Sequence, residues 1–99
     1  MSKNTVLIVD DEPTHCKLFS KFVSNLGYNH LIMNGGMQVV DFFTNKKSAK
    51  GVSSHEIDVM LLDLSMPDID GITVLKQIAA SKGDTQIIVL TANGDVSLA

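Results

Sequence analysis

Residues 6–11, Val6-Leu7-Ile8-Val9-Asp10-Asp11 (VLIVDD), are the stretch that decides the fold. Its apolar half is continuous and rich in β-branched side chains, without the alternation of a half-exposed strand. Such a run is typical of a short strand that is buried on both faces, as in a parallel sheet. The run ends in two adjacent carboxylates, and a third carboxylate, Asp63, ends a similar run over residues 59–62.

Outward from this stretch, helical and extended patterns alternate. Pro13 presets the backbone for a first helical turn, and apolar residues then recur at helical spacing up to a stop signal at Gly27. We therefore predict an amphipathic helix over residues 13–26. A weaker strand is predicted over residues 29–33, followed by a turn and a short helix over residues 37–43.

The second half of the chain continues the alternation. Residues 45–56 are polar and predict a long exposed loop. The next predicted elements are a strand over 57–62, a turn-rich connection over 67–71, a helix from 72 to near 83, and a strand over 87–90. This order predicts an α/β fold, a doubly wound parallel sheet with helices on both faces.

Composition limits the classes of function. A length of 99 residues favours one domain over 1–99, and 44% hydrophobic with 19% charged residues is ordinary for a globular protein. The net charge of −3 gives no electrostatic argument for nucleic-acid binding. The only cysteine, Cys16, excludes an internal disulfide and fits a reducing compartment. The N-terminal apolar run is too short for a signal peptide or a membrane span, so we expect a cytoplasmic protein.

The carboxylates are expected to converge. Ligands of open parallel sheets bind beyond the carboxyl ends of the strands. With a strand order of 2-1-3-4, Asp10, Asp11 and Asp63 line one crevice, and Thr91 adds a hydroxyl at its rim. Hard oxygen ligands suit Mg²⁺, and a carboxylate beside a divalent cation can attack phosphorus. The sequence therefore predicts a magnesium site suited to phosphoryl chemistry.

Three stretches match a known family: VLIVDDEP (6–13), VMLLDLSMPDIDGITVLKQI (59–78) and IIVLTANG (87–94). Together they resemble the receiver domain of two-component response regulators, and with the spacing between them they cover essentially the whole chain. The resemblance implies a flavodoxin-like fold and phosphorylation-dependent signalling. A sensor histidine kinase or phosphotransfer protein would donate the phosphoryl group, and the receiver would catalyse the transfer and a slower hydrolysis. The tail TANGDVSLA further resembles receivers of bacterial enhancer-binding transcription activators, which would bind nucleic acid only through an output domain absent here.

The resemblance also implies a role for individual residues. Asp63 would be the phosphoacceptor, Asp11 a direct magnesium ligand, and Asp10 a ligand through water. The backbone carbonyl of Ser65 would complete the protein ligands, and Thr91 would be the switch hydroxyl that moves to the phosphoryl group.

The C-terminal end departs from the family pattern. Receivers of this family have a fifth strand, with a lysine that contacts the phosphoryl group, and a last helix, whereas this chain is expected to end inside its fourth helix. The aromatic switch residue is also missing. The apolar strand 87–90 would then be an exposed edge, which invites intermolecular pairing. We therefore expect a truncated chain, a proteolysed fragment, or a homodimer or swapped assembly, and we expect impaired phosphorylation if the chain is truncated in solution.

Simpler interpretations of the same residues stay open. Asp10 and Asp11 could cap the following helix, Thr91 could be an ordinary strand residue, and His15 could be a surface residue in the first helical turn. Two other functions also stay open. One is a pseudo-receiver that acts as a protein-interaction module. The other is a magnesium phosphohydrolase with an aspartyl nucleophile, but such enzymes commonly need an aspartate where this chain has Ser65.

Overall fold

The computed structural model describes residues 4–90 and the backbone of residues 96–98. Within these residues the main sheet contains β1 (Thr5–Val9), β2 (Asn29–Met33), β5 (Ile57–Asp63), β6 (Gln86–Leu90) and β7 (Val96–Leu98). A separate hairpin contains β3 (Ser48–Ala49) and β4 (Val52–Ser53). The helices are α1 (Pro13–Asn25), α2 (Gly36–Thr44) and α3 (Gly71–Ile78), with a 3₁₀ turn at Ser54–Glu56.

The main sheet has the predicted doubly wound arrangement. Its order is β2-β1-β5-β6-β7, and the first four of these strands are parallel, which confirms the predicted class and the predicted order of four strands. Val9 lies opposite Met33 on one side and Leu62 on the other, and Asp63 lies opposite Leu90. The carboxyl ends of β1, β5 and β6 are therefore side by side.

β1 is buried along its whole length because helices pack on both faces of the sheet. Leu7 and Val9 point into the larger core, which also contains side chains of α2 and α3. Val6 and Ile8 point into the smaller core, on the face where α1 packs. This two-sided burial is why the sequence of β1 is continuous and apolar rather than alternating.

Helix α1 buries less of its apolar surface than its pattern predicts. Cys16 and Val23 are buried, whereas Leu18, Phe22 and Leu26 are 62%, 60% and 59% exposed. Within the described residues α1 is the one helix on this face of the sheet, and it contacts β1 and β2. An apolar groove of about 320 Å³ therefore lies between α1 and the neighbouring strands.

The prediction of a loop over residues 45–56 is wrong for the middle of this segment. β3 and β4 form a two-residue-turn hairpin, in which Lys50 and Gly51 both have positive φ, 50° and 80°. Positive φ at both turn positions matches the right-handed twist of a hairpin. The following 3₁₀ turn is closed by Ser53, whose amide donates to Glu56 Oε1 over 2.9 Å. Strands of two residues have no detectable periodicity, so the sequence pattern missed them.

The expectation that the chain ends inside a fourth helix, with β6 as the sheet edge, is also wrong. The backbone of Val96–Leu98 forms β7, which pairs antiparallel with Ile88–Leu90 of β6. The outer side of β6 carries N–H and C=O groups that need partners, and β7 supplies them. No fifth parallel strand occurs within the described residues. In the same part of the chain, no helix has the length and apolar character needed to cross a membrane.

Candidate functional site

The carboxylates that the sequence singled out meet at the carboxyl ends of β1 and β5. Asp63 is the last residue of β5, and Asp10 and Asp11 directly follow β1. Because Val9 of β1 is paired with Leu62 of β5, the residues that directly follow them, Asp10 and Asp63, are neighbours. One carboxylate oxygen from each aspartate lies within 4.8 Å of the other two, as predicted for a single crevice.

The three aspartates differ in their access to solvent. Asp10 is 2% exposed, Asp63 is half-buried, and Asp11 is exposed. Each pair of charges at this separation repels by about 3 kcal/mol at an effective dielectric of about 20. The cluster therefore favours a cation, and the half-buried Asp63 and the exposed Asp11 leave it open to solvent.

Asp10 is held by contacts to its backbone and its side chain. Its Oδ1 accepts from the Glu12 amide over 2.9 Å, and its Oδ2 lies 3.1 Å from Nδ1 of His15. Its backbone carbonyl accepts from Sγ of Cys16 over 3.2 Å and from Nδ2 of Asn34 over 3.1 Å. The buried carboxylate thus has a partner at each oxygen, as buried polar groups require.

Cys16 supports this end of β1 as a neutral thiol. Burial raises the pKa of the Cys16 thiol, and the negative charges of Asp10 and Asp11 raise it further. The sulfur therefore keeps its proton, which it donates to the carbonyl of Asp10. Its role here is structural, because a nucleophilic cysteine needs a lowered pKa.

Neither Asp10 nor Asp11 caps helix α1. The N-cap is Glu12, whose side chain accepts from the Thr14 amide over 3.4 Å, and Pro13 begins the helix. The simpler interpretation of the aspartates as helix caps is therefore wrong.

The loop after β5 is held close to Asp63. The Ser65 amide donates to Asp63 Oδ1 over 3.0 Å, and the Gly71 amide donates to the Leu64 carbonyl over 3.1 Å. A Cβ atom at Gly71 would lie 2.6 Å from Cδ2 of Leu64 and 2.8 Å from its Cα. Glycine is needed here because backbone atoms cannot give way to a side chain. The turn predicted over residues 67–71 is thus the segment that folds back onto the site.

Asp68 connects this loop to helix α2. Its Oδ1 accepts from the Gly36 amide over 3.1 Å, and its Oδ2 accepts from the Met37 amide over 3.0 Å. The residue at the N-cap of α2, Gly35, has no side chain that could make these bonds. The hydrogen bonds to Met37 and Gly36 lower the pKa of Asp68. Asp68 therefore caps a helix that is distant in sequence, a role that local sequence patterns do not reveal.

We expect Asp68→Ala to lower the free energy of unfolding by about 1 kcal/mol, since it leaves two helix-end amides without their cap. The folded pKa of Asp68 lies below its unfolded value of 3.8, so the stabilisation is complete above that pH and is lost as the pH falls through the folded pKa. Urea unfolding of wild type and variant at neutral and acid pH measures both effects. Asp84→Ala, at an exposed aspartate in the loop before β6, is the control. If wild type and Asp68→Ala differed in free energy of unfolding as much at the lowest pH as at neutral pH, the assignment of Asp68 as the cap of α2 would be contradicted.

The remaining predicted site residues have different outcomes. Ser65 is exposed and lies beside Asp63, with its amide bonded to that carboxylate. Thr91 lies outside the described residues. The sequence predicted only a surface position in the first helical turn for His15, and it did not identify Asn34 or Asp68. The one sequence signal for Asn34 was its position in a turn directly after β2.

The residues of the cluster fit a divalent cation such as Mg²⁺. All three offer carboxylate oxygens, which Mg²⁺ prefers over nitrogen or sulfur. Mg²⁺ is typically held by one or two carboxylates together with water and phosphate oxygens, so a partly exposed cluster suits it better than a closed cage.

Residues 6–99 match the family described as the response regulator receiver domain, and the chain therefore belongs to this family. The motifs of the sequence predicted this membership. Membership of this family makes the chain a receiver domain of two-component response regulators.

Individual relatives agree with this assignment. The chain is 30% identical over 94 residues to the transcriptional regulatory protein ZraR of Escherichia coli K12, a match that covers 95% of this chain and 19% of ZraR. The chain therefore spans about a fifth of the length of this curated relative.

Two solved structures of the response regulator TrrA from Thermotoga maritima are also similar. One is TrrA in complex with Mg²⁺-BeF, at 30% identity and a TM-score of 0.73, covering 90% of this chain and 70% of that chain. The other is TrrA in complex with the histidine kinase ThkA, at 30% identity and a TM-score of 0.71, covering 90% of this chain and 69% of that chain.

Proposed function

We propose that this chain is a phosphorylation-controlled receiver that accepts a phosphoryl group on Asp63 in a magnesium-dependent reaction. The observation that carries the proposal is the meeting of Asp63 with Asp10 and Asp11, with one oxygen of each within 4.8 Å. Asp63 is suited to react because it is only half-buried. Its Oδ1 accepts from the Ser65 amide, whereas its Oδ2 has no protein hydrogen-bond partner among the described residues.

In the proposed reaction a carboxylate oxygen of Asp63 attacks the phosphorus of a phosphohistidine on the donor protein. The P–N bond breaks, its electron pair stays on the imidazole nitrogen, and that nitrogen takes a proton from solvent. The Ser65 amide holds Oδ1 of the Asp63 carboxylate during the attack, and the loop held by Gly71 positions Ser65. Slow hydrolysis of the aspartyl phosphate would return the receiver to its resting state.

The residues that would hold Mg²⁺ are Asp10, Asp11 and Asp63, together with the backbone carbonyl of Ser65. When bound, the ion would offset the negative charge that gathers between the carboxylates and the phosphoryl oxygens. Asp10 contributes as a preset, buried carboxylate, and Asp11 as the exposed one.

The phosphoryl group would add about −1.5 to −2 charges and three acceptor oxygens beside β6. We propose Thr91, the residue after β6, as the hydroxyl that moves to these oxygens and changes the adjacent surface. An output domain or a second copy of the chain would respond to that surface.

The donor we propose is a sensor histidine kinase or a phosphotransfer protein, by analogy with TrrA, which was solved with the histidine kinase ThkA. Transcriptional output through a further domain is proposed from the similarity to ZraR. We also propose that residues 1–99 act as one receiver domain in the cytoplasm.

The metal requirement gives the first test. We expect acetyl phosphate to label the chain only when Mg²⁺ is present, and we expect Asp11→Ala to weaken Mg²⁺ binding by about tenfold or more. Isothermal titration measures the affinity, and intact-mass spectrometry measures the label. Asp84→Ala, which removes a carboxylate at the opposite end of the sheet, should match wild type. Labelling that survives a chelator, or unchanged affinity in Asp11→Ala, would contradict the proposal.

A further inference from the structure

We propose that His15 is a positioning residue for the metal site, because it holds the Asp10 carboxylate in one orientation beside Asp11 and Asp63. This inference rests on the proposed function, since it concerns the same cluster. It starts from the contact between Nδ1 of His15 and Oδ2 of Asp10, which are 3.1 Å apart. His15 belongs to the first turn of α1, and the side chain of Glu12 caps this helix.

We assign a proton to the ring nitrogen that faces Asp10. Carboxylate oxygens accept hydrogen bonds, so the contact gives the donor role to Nδ1 of His15. The ring is therefore held with Nδ1–H directed at Asp10. The His15 side chain is 58% exposed, whereas that of Asp10 is 3% exposed. His15 thus reaches from the surface to a buried carboxylate.

The Asp10 carboxylate needs a second hydrogen-bond partner if it is to keep a single orientation. Rotation about the last torsion of an aspartate is broad, so a single hydrogen bond does not determine where the second oxygen points. The Glu12 amide holds Oδ1 over 2.9 Å, and among the described residues His15 is the side chain that holds Oδ2. Because both oxygens are already held, the Asp10 side chain loses little further rotational freedom when a metal ion binds.

Two further contacts hold the backbone of Asp10. Asn34 and Cys16 donate to the Asp10 carbonyl and thereby fix its backbone, but they leave the carboxylate free to turn. His15 is the residue that adds control of the side chain. Groups that hydrogen-bond to metal ligands and orient them typically change metal affinity by about 10- to 100-fold.

The test compares Mg²⁺ affinities by isothermal titration at one fixed pH. We expect His15→Ala to bind Mg²⁺ about tenfold more weakly than wild type, at the lower end of that range because the ring is exposed. His15→Asn should recover most of the affinity, because its Nδ2 is attached to Cγ as Nδ1 is in histidine. The matched control is His30→Ala, which removes another exposed histidine with a side-chain contact, in this case to Ser24.

A purely structural role for His15 would have a different signature. It would lower the free energy of unfolding while leaving the Mg²⁺ affinity of the folded variant unchanged. Wild-type affinity or tighter binding in His15→Ala would overturn the inference, as would equal weakness of the alanine and asparagine variants. Nitrogen NMR of the wild-type ring gives an independent readout. A proton on Nδ1 is expected, and a neutral ring with its proton on Nε2 would also overturn the inference.

The same titrations separate this inference from the proposed function. If wild type binds Mg²⁺ and Asp11→Ala does not, but His15→Ala equals wild type, the positioning role alone is wrong. If wild type and Asp11→Ala are equally unable to bind Mg²⁺, the proposed function and the positioning role are both wrong. If His15→Ala does not fold, the NMR of the wild-type ring decides.

Discussion

Replacement of Asp63 with asparagine is expected to abolish magnesium-dependent labelling of this chain by acetyl phosphate. The substitution keeps the size and shape of the side chain, and the amide oxygen can still accept from the Ser65 amide. It removes the negative charge and the nucleophilic oxygen, so no bond to phosphorus can form. The measurement is the labelled fraction by intact-mass spectrometry at saturating Mg²⁺.

Asp58→Asn is the matched control for this result. Asp58 lies on the same strand at the opposite end, where its Oδ2 accepts from the Thr5 amide over 3.3 Å. The same chemical change there should leave labelling at the wild-type level. Retention of label in Asp63→Asn, or its loss in both variants, would contradict the assignment of Asp63.

Phe43→Ala is expected to have the largest effect on stability among the changes considered, about 3 to 5 kcal/mol. Phe43 is 0% exposed and lies in the larger core, with its ring edge-on to Phe42 at a centroid distance of 5.3 Å. Removing it leaves a cavity between α2 and the sheet. Because domains of this size are stable by about 5 to 15 kcal/mol, the variant should unfold at a much lower urea concentration.

Phe22→Ala provides the comparison, since it removes the same group from a residue that is 60% exposed. We expect a loss of about 1 kcal/mol or less there. Circular dichroism measures the midpoint of urea unfolding for each variant. Equal midpoints for Phe43→Ala and Phe22→Ala would show that the described packing of α2 is wrong.

The parallel core and the acidic cluster could be predicted because their signals are local and repeated. A strand that is buried on both faces needs a continuous apolar run, and the paired residues Val9 of β1 and Leu62 of β5 are each followed directly by a carboxylate. Once β1 and β5 are neighbours, the meeting of Asp10 with Asp63 follows from the register. The family motifs then supplied roles that the residue pattern alone left open.

The parts that could not be predicted depend on contacts between distant segments. Asp68 is an ordinary turn residue in sequence, and its bonds to Gly36 and Met37 exist only when the loop after β5 lies against α2. His15 has a role only because the first turn of α1 faces Asp10. The exposure of Phe22 likewise depends on which elements cover the second face of the sheet, which helical periodicity does not reveal.

The most direct test of the central proposal is to locate the phosphoryl group in labelled wild-type protein. Borohydride reduction converts an aspartyl phosphate to homoserine, which peptide mass spectrometry assigns to one position. We predict homoserine at residue 63 in protein labelled in the presence of Mg²⁺, and none when a chelator is added. Modification at another aspartate, or an acid-labile phosphate on His15 or His55 with residue 63 unchanged, would contradict the assignment of Asp63 as the acceptor.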